Sequence, residues 1–456
     1  MNENNTIVAI STPIGIGATA IVRMSGKKAL QIALEITKKT NFSPRYATLC
    51  CVYNNKDEIL DEVIVIYFKN PASYTREDVC EIQCHGGIIA AKMILQVCLE
   101  KGATLAAPGE FSKRAFLNGR IDFSQINALS KIIQSTSEKA SKILAKQLKG
   151  ELGKFVDNLR EDLLRVLAYS EVMIDYGEED IPADIISNID SQIQKIQNLL
   201  KSVYEFSKMR QGIIDGHHMS IIGKPNVGKS SVLNAILLYD RAITSPIAGT
   251  TRDTIEENIN IEGNIIRIID TAGIRKTQDE IESLGITKSI NSIFQSDIIL
   301  AVFDSSRILD NEDMEIIRLL NTQENKHCII TLNKSDLPPM FELKDIEELI
   351  QIPYEGIKIS TKTPEKCALA LKEIFAKILA KDEIGDEILL TSEFQLQAIK
   401  KAICSLENAS DVFKNLELEL FSYNITEAIT NICNITQPYE ISEMFDKMFG
   451  EFCLGK

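Results

Sequence analysis

A chain of 456 residues is long enough for about three domains, each burying its own core. The hydrophobic share of 45% and charged share of 25% are those of a soluble globular protein, with no run near the ~18 apolar residues of a membrane helix and no signal-peptide pattern at the polar N-terminus. A net charge of −14 argues against unselective nucleic-acid binding over the whole surface, and ten cysteines without framework spacing suit reduced thiols in a cytoplasm.

In chain order, residues 1–118 predict an α+β domain. Strand-like runs fall at Thr6–Ser11, Thr19–Met24, Tyr46–Tyr53, Glu62–Phe68 and Asp78–Cys84, with helical periodicity at Lys27–Lys38 and Ile88–Lys101. Small-residue turns at Pro13–Gly17, His85–Gly87 and Pro108–Gly109 mark places where backbone could approach a ligand. Residues 119–215 read as helical, with Leu144, Leu148, Leu152, Phe155, Leu159 and Leu163 as one stripe and a second helix over Ile185–Lys208. An acidic turn, Asp175–Pro182, lies between them. Gly216-His217-His218 opens a separate domain over 216–382, and helical character returns over 383–456, where Leu396, Ile399, Ile403 and Leu406 share a face. Helices on both sides of that domain predict its insertion into one bundle. From Phe111 to Arg160, ten Lys or Arg stand against four acidic residues; Lys139, Lys142, Lys146 and Lys149 share a helix side, either a solvated face or a local basic face for nucleic acid.

The most informative stretch is Gly223–Ser230, Gly-Lys-Pro-Asn-Val-Gly-Lys-Ser, between an apolar strand-like run and an apolar helix-like one. Backbone N–H groups freed by the glycines can curl around an anion at a helix N-terminus. Lys229 would reach the terminal phosphates, and the Ser230 hydroxyl would sit on magnesium. Asn333-Lys334-Ser335-Asp336 follows another apolar strand, and the Asp336 carboxylate can accept two N–H bonds from the guanine edge, where adenine presents a lone pair instead. Ser360-Thr361-Lys362 fits a backbone contact to the base. Asp270-Thr271-Ala272-Gly273 supplies an acidic group near magnesium and an amide for the γ-phosphate. Gly249-Thr250-Thr251-Arg252-Asp253 is the candidate first switch, with Thr251 as the second magnesium-binding hydroxyl. The nucleotide set is therefore Asn226, Val227, Gly228, Lys229, Ser230, Ser231; Ser245, Pro246, Ile247, Ala248, Gly249, Thr250, Thr251; Asp270, Thr271, Ala272, Gly273; Asn333, Lys334, Ser335, Asp336; and Ser360, Thr361, Lys362.

These elements occur in the order of Ras-like GTPases, which the region 216–382 resembles. One departure is informative: Ile274 follows Gly273 where Ras-like enzymes carry a water-orienting Gln. The catalytic polar group must then come from elsewhere, from Arg275, Glu280 or Glu282 among nearby residues, or hydrolysis must await a partner. GTPases that bear an Asn at the place of Asn226 often use a potassium ion where others use an arginine finger, and the resemblance assigns that ion to Asn226, Ser245, Ile247 and Thr250.

Further segments carry a resemblance along the whole chain. They are Thr12–Gly15 with Ala20–Gly26, Tyr74–Asp78, His85–Gly87, Ala107–Phe111 with Arg114–Gly119, and the terminal Phe452-Cys453-Leu454-Gly455-Lys456. Together they resemble the tRNA modification GTPase family known as MnmE or TrmE. The resemblance implies a tetrahydrofolate-binding-like N-terminal domain that homodimerises, a helical domain and an inserted Ras-like P-loop G domain. It implies a heterotetramer with an FAD- and NADH-using partner of the MnmG or GidA type. That complex adds an aminomethyl or carboxymethylaminomethyl group to C5 of the wobble uridine of certain tRNAs. A 5,10-methylene or 5-formyl tetrahydrofolate is the implied one-carbon source, and GTP hydrolysis with Mg2+ and K+ the implied drive. Carried over, the folate contacts are Arg23, Glu81, Arg120 and Lys456, the water-positioning catalytic group is Glu282 beside Lys229, and Cys453 is a candidate reactive thiol. Arg120 stands where the family more often has lysine, and Ile126-Asn127 and Ile435-Thr436-Gln437 also depart from its pattern. The competing readings are a GTP-dependent ribosome-assembly factor and a signalling switch. Cys80-x-x-x-Cys84-His85 could suggest a metal, though no second ligand cluster accompanies it.

Overall fold

The structure, a computed structural model, describes residues 5–175, 183–239, 257–269, 296–323, 326–379 and 387–438. It divides into two compact units, one of Met1–Ser130, Gln147–Ile189 and Ser405–Lys456, the other of Lys131–Lys146 and Asp190–Cys404. The helical stretch 119–215 contributes to both.

The first unit is built on a sheet of β1 (Ile7–Ile10), β2 (Thr19–Ser25), β3 (Thr48–Tyr53), β4 (Ile59–Phe68), β5 (Val79–His85) and β6 (Thr104–Leu105). Their order is β3-β4-β5-β2-β1-β6, antiparallel throughout except for the β1–β6 pair. Strand alternation sends Ala20, Val22, Met24, Val63, Val65, Cys80, Ile82 and Cys84 to one face. There they pack with Ile32, Ala33 and Ile36 of α1 (Ala29–Thr37) and Ile94, Val97 and Cys98 of α2 (Ile88–Glu100). A smaller core of Ile7, Ala9, Ala106 and Phe111 forms under α3 (Glu110–Leu117), with Tyr74 against it. Strand β4 begins three residues before the predicted run, because Ile59 finds Tyr53 as a ladder partner across an irregular register.

The predicted leucine stripe does not lie on one helix. Helix α4 (Phe123–Gln134) is followed by α5 (Glu138–Leu148), and Gly150, at φ 86, separates α5 from α6 (Glu151–Asp175). A left-handed glycine ends a helix where a strand of good helix formers would run on. In α6, Leu152, Val156, Leu159, Leu163 and Val166 are buried. That helix packs along α14 (Leu418–Cys433), whose Phe421, Ile425, Ala428 and Ile432 are buried, with Ser170 and Ser422 hydroxyls 2.9 Å apart. Two of the three departures from the family pattern are absorbed as core: Ile126 and Ile435 are fully buried.

In the second unit, α7 (Ala183–Met209) and α8 (Gln211–Asp215) lead into β7 (His217–Ile222). The sheet continues with β8 (Glu257–Ile261), β9 (Asn264–Ile268), β10 (Ile298–Asp304), β11 (His327–Asn333) and β12 (Tyr354–Lys358), ordered β12-β11-β10-β7-β9-β8. All its pairs are parallel except the β8–β9 hairpin. Strand β10 is buried along its whole length, as expected of a parallel strand covered on both faces. One face packs on α9 (Lys229–Tyr239) and α12 (Pro364–Leu379), the other on α10 (Asn311–Asn321) and α11 (Leu343–Glu347). The chain returning at Leu390 is tied to α7 and α8 by the Ser207 hydroxyl, which accepts its amide at 2.9 Å, and by Gln211, which donates to its carbonyl at 2.9 Å. It then enters α13 (Glu393–Lys414), with Leu396, Ile399, Ile403 and Leu406 buried as their spacing predicts. No helix among the described residues is long and apolar enough to cross a membrane.

Candidate functional site

The loops that follow β7, β10, β11 and β12 gather at the carboxyl ends of parallel strands, where α/β sheets present ligand sites. After β7 the chain turns at Gly223 (φ 149), Asn226 (φ 64) and Gly228 (φ 103) before α9 begins at Lys229. A Cβ at Gly223 would collide with the Val302 carbonyl of β10, so only glycine lets the loop pass that close. Lys229 donates to the carbonyls of Gly223 at 2.6 Å and Lys224 at 2.8 Å. Its ammonium is thus held over the loop, and burial lowers its pKa. The result is a ring of backbone groups with one cation at its centre, able to hold a polyphosphate.

The Asn333–Asp336 segment is joined to this loop by a single side chain. The Asn333 amide nitrogen donates to the Val227 carbonyl at 2.8 Å, and its amide oxygen accepts from Thr361 N at 3.3 Å. The phosphate loop, the end of β11 and the segment after β12 therefore meet at one fully buried residue. Lys334, at φ 62, places its ammonium 2.6 Å from Asp304 at the end of β10. The Asp304 carboxylate also accepts from the Ser306 hydroxyl at 2.6 Å. Burial opposes charge on Asp304, but the bonds from Lys334 and Ser306 outweigh it and hold its pKa below the ordinary value. Asp336 accepts from Ser360 Oγ at 2.6 Å and pairs with Lys362 at 2.6 Å; Lys362, then Ser360, lowers its pKa. A carboxylate kept ionised beside the loop is an acceptor for a ligand's N–H groups.

A second cluster rises from the other unit's sheet. Arg23 on β2 and Glu81 on β5 are direct cross-strand partners. Nε and Nη2 of Arg23 both lie 2.9 Å from Glu81 Oε1. The Arg23 guanidinium stands 5.6 Å from the Tyr74 ring centre and 5.8 Å from that of Phe111, and Arg120 stands 4.7 Å from Tyr74. Tyr74 is therefore an aromatic body with two cations against it, its hydroxyl fixed by Ser112 at 2.9 Å. The sequence pointed to Arg23, Glu81 and Arg120 but missed Tyr74 and Phe111, which only tertiary packing brings beside them.

Cys80 and Cys84 do not converge with His85. Their thiols lie in the core, where burial raises the pKa of each, while His85 leaves the strand on the opposite face and pairs with Asp61 at 2.7 Å. Among the described residues no group of three or more His, Cys, Asp or Glu is placed to hold a metal ion. Ser245 to Thr251, Asp270 to Ile274, Arg275, Glu280, Glu282, Cys453 and Lys456 lie outside the described residues.

Residues 6–120 match the family model of the GTP-binding protein TrmE N-terminus, and residues 123–453 that of the MnmE helical domain. Curated relatives named tRNA modification GTPase MnmE align along the full length. That of Aliarcobacter butzleri is 51% identical and that of Sulfurimonas denitrificans 49%, each over 100% of both chains. That of Helicobacter acinonychis is 49% identical over 99% of this chain and 100% of its own. The chain belongs to the MnmE family. The G domain of the T. maritima FeoB iron transporter, a solved structure, aligns with 37% of this chain and 99% of its own at 19% identity, but a TM-score of 0.26 is too slight a likeness to bear on the fold. Within the MnmE matches, Arg23, Tyr74, Glu81 and Arg120 fall in the N-terminal segment, and Gly223–Ser230, Asn333–Asp336 and Ser360–Lys362 in the longer one.

Proposed function

We propose that this protein hydrolyses GTP as one subunit of a tRNA-modifying complex that alters C5 of the wobble uridine in certain tRNAs. Membership of the MnmE family supports the tRNA part of the reading, and the observation that carries the nucleotide part is the Asn333 side chain, which ties the phosphate loop at Val227 to the Thr361 amide beside Asp336. One ligand with a phosphate tail and a base bearing two adjacent N–H donors satisfies both ends. Guanine offers that edge and adenine does not, and a site built on such bonds discriminates by as much as ~10⁴-fold.

Lys229 exchanges its two carbonyl partners for phosphate oxygens when nucleotide binds. The hydroxyls of Ser230 and Thr251 with the Asp270 carboxylate are hard oxygen donors suited to Mg2+, and the neutral oxygens of Asn226, Ser245, Ile247 and Thr250 suit K+. Such cations supply positive charge where negative charge develops on the phosphates. Glu282 orients the attacking water in the place that Ile274 leaves vacant. In the other unit, Arg23, Arg120 and Lys456 serve the carboxylates of a tetrahydrofolate, and Glu81 accepts its pterin N–H groups. The fit there is supported by Arg120, which has no carboxylate partner among the described residues and rests on Tyr74. A second copy of the chain and an FAD- and NADH-dependent subunit complete the assembly.

Mass spectrometry of tRNA nucleosides from cells lacking this protein tests the reading. An unmodified wobble uridine is the expected result. An intact modification together with defective ribosomal subunits would assign the chain to ribosome assembly instead. GTP turnover should also rise strongly when potassium replaces sodium, with the response lost in Asn226→Ala; equal rates in both salts would remove K+ from the mechanism.

A further inference from the structure

We propose that Lys224 is a positioning residue of the phosphate loop, acting through a latch to the start of α10. The inference rests on the nucleotide-binding reading above and names a residue that reading does not use.

Lys224 is the spacer position immediately after Gly223, where a polar side chain would ordinarily point into solvent. Instead its side chain is only 9% exposed and its ammonium lies 2.6 Å from Asp310 Oδ2 and 2.6 Å from Asp313 Oδ2. These carboxylates are themselves fixed. Asp310 caps α10, with Oδ1 accepting from Glu312 N at 3.1 Å and Asp313 N at 3.2 Å, and Asp313 Oδ2 accepts from Asp310 N at 3.2 Å. A capping box needs no cation. Here two carboxylates share one, and although Asp310 is 55% exposed the Asp313 side chain is just 5% exposed, so removing the ammonium would leave the Asp313 carboxylate buried beside a like charge with no cation.

The same residue carries one of the two carbonyls that hold Lys229, at 2.8 Å, the other belonging to its neighbour Gly223 at 2.6 Å. Fixing the Lys224 side chain fixes the peptide planes that present these carbonyls. The latch therefore sets the first half of the loop in its working shape before a ligand arrives, and removes an ordering cost from binding. It touches neither phosphate nor base. Asp310 and Asp313 lie 86 and 89 residues from Lys224 in sequence, so no local motif announces the arrangement.

Titration of the full chain with a fluorescent N-methylanthraniloyl GDP, alongside steady-state GTP hydrolysis, tests this. Lys224→Met keeps the apolar stem and removes the charge; it should weaken nucleotide binding about tenfold while leaving kcat at saturating GTP within about twofold, the signature of lost uniform binding. Asp313→Asn should weaken binding to a similar degree. Because the two residues act as one unit, the double variant should bind no more weakly than either single one. Lys224→Arg should recover most of the affinity, since a guanidinium can fork across both carboxylates. Unchanged affinity in Lys224→Met, whatever its thermal midpoint, would overturn the proposal, as would losses that multiply in the double variant. Failure of the wild-type chain to bind guanine nucleotide would instead overturn the reading on which the proposal stands.

Discussion

In the sheet of β7 to β12, the strands β7, β10 and β11 are mostly apolar and covered on both faces, and the chemistry-bearing groups lie at or just beyond their carboxyl ends, at Gly223–Ser230, Asp304–Ser306 and Asn333–Asp336. In the sheet of β1 to β6, α1 and α2 cover one face, and Arg23 and Glu81 rise from the middle of strands on the other. A doubly covered parallel strand can hold a small buried polar side chain such as Ser220 or Thr331 but cannot present it to a ligand, so function is displaced to contiguous segments at the strand ends. A singly covered antiparallel strand can carry function on alternate residues, at the cost of scattering it along the sequence. The first kind of site depends on backbone shape, the second on cross-strand register.

Three substitutions put this contrast at risk. The largest effect is expected from Asp336→Asn, which replaces an acceptor by a donor in an exposed loop. Affinity for GDP should fall at least ~100-fold while affinity for the xanthine analogue, with a carbonyl in place of the amino group, rises; the urea midpoint should hardly move. Global destabilisation would show that the loop supports the fold. Asp304→Asn comes next. It strips a buried carboxylate from a part-exposed Lys334, and unfolding in urea at neutral pH should show a loss of ~1–2 kcal/mol, discounted from a fully buried pair for solvent access to the lysine. The sign with pH follows from its lowered pKa. The stabilisation is complete above the unfolded value of ~3.9 and disappears as pH falls through the folded one, so wild type and variant should converge in acid. A constant difference down to pH 2 would mean that packing, not charge, carries the contact. Glu81→Gln should be the mildest, at most about 1 kcal/mol, because the side chain stays hydrogen-bonded to Arg23 on a partly exposed face. A loss as large as that of Asp304→Asn would erase the distinction between the two sheets.

The same contrast explains what could be read from sequence. Gly223–Ser230 and Asn333–Asp336 are legible because each is a continuous segment whose spacing has one chemical use. Asp304 was overlooked, although a carboxylate ending an otherwise apolar strand is a signal in itself. Lys224 carries no signal of its own, since its partners are far along the chain. Tyr74 appeared only as part of a family segment; its place between two arginines depends on the packing of α3 under β1. The stripe through Leu144 and Leu163 looked continuous because one glycine costs a helix only ~1 kcal/mol, and nothing local distinguishes Gly150 from a tolerated one. Strand β6, two exposed residues long, exists through its pairing with Ile7 and Val8 and has no periodicity to detect.

Gly228 turns the Asn333 bridge into a matter of heredity. A Cβ on Gly228 would collide with the Asn333 amide nitrogen, the atom that holds the Val227 carbonyl. A methyl group there would dislodge the bridge and loosen the base-reading segment. A genetic screen for altered base preference should therefore recover changes at 228 as readily as at 336. Position 228 is constrained twice, by a φ of 103 that a side chain would strain and by the amide it must clear, so a change at Asn333 alone would not free it.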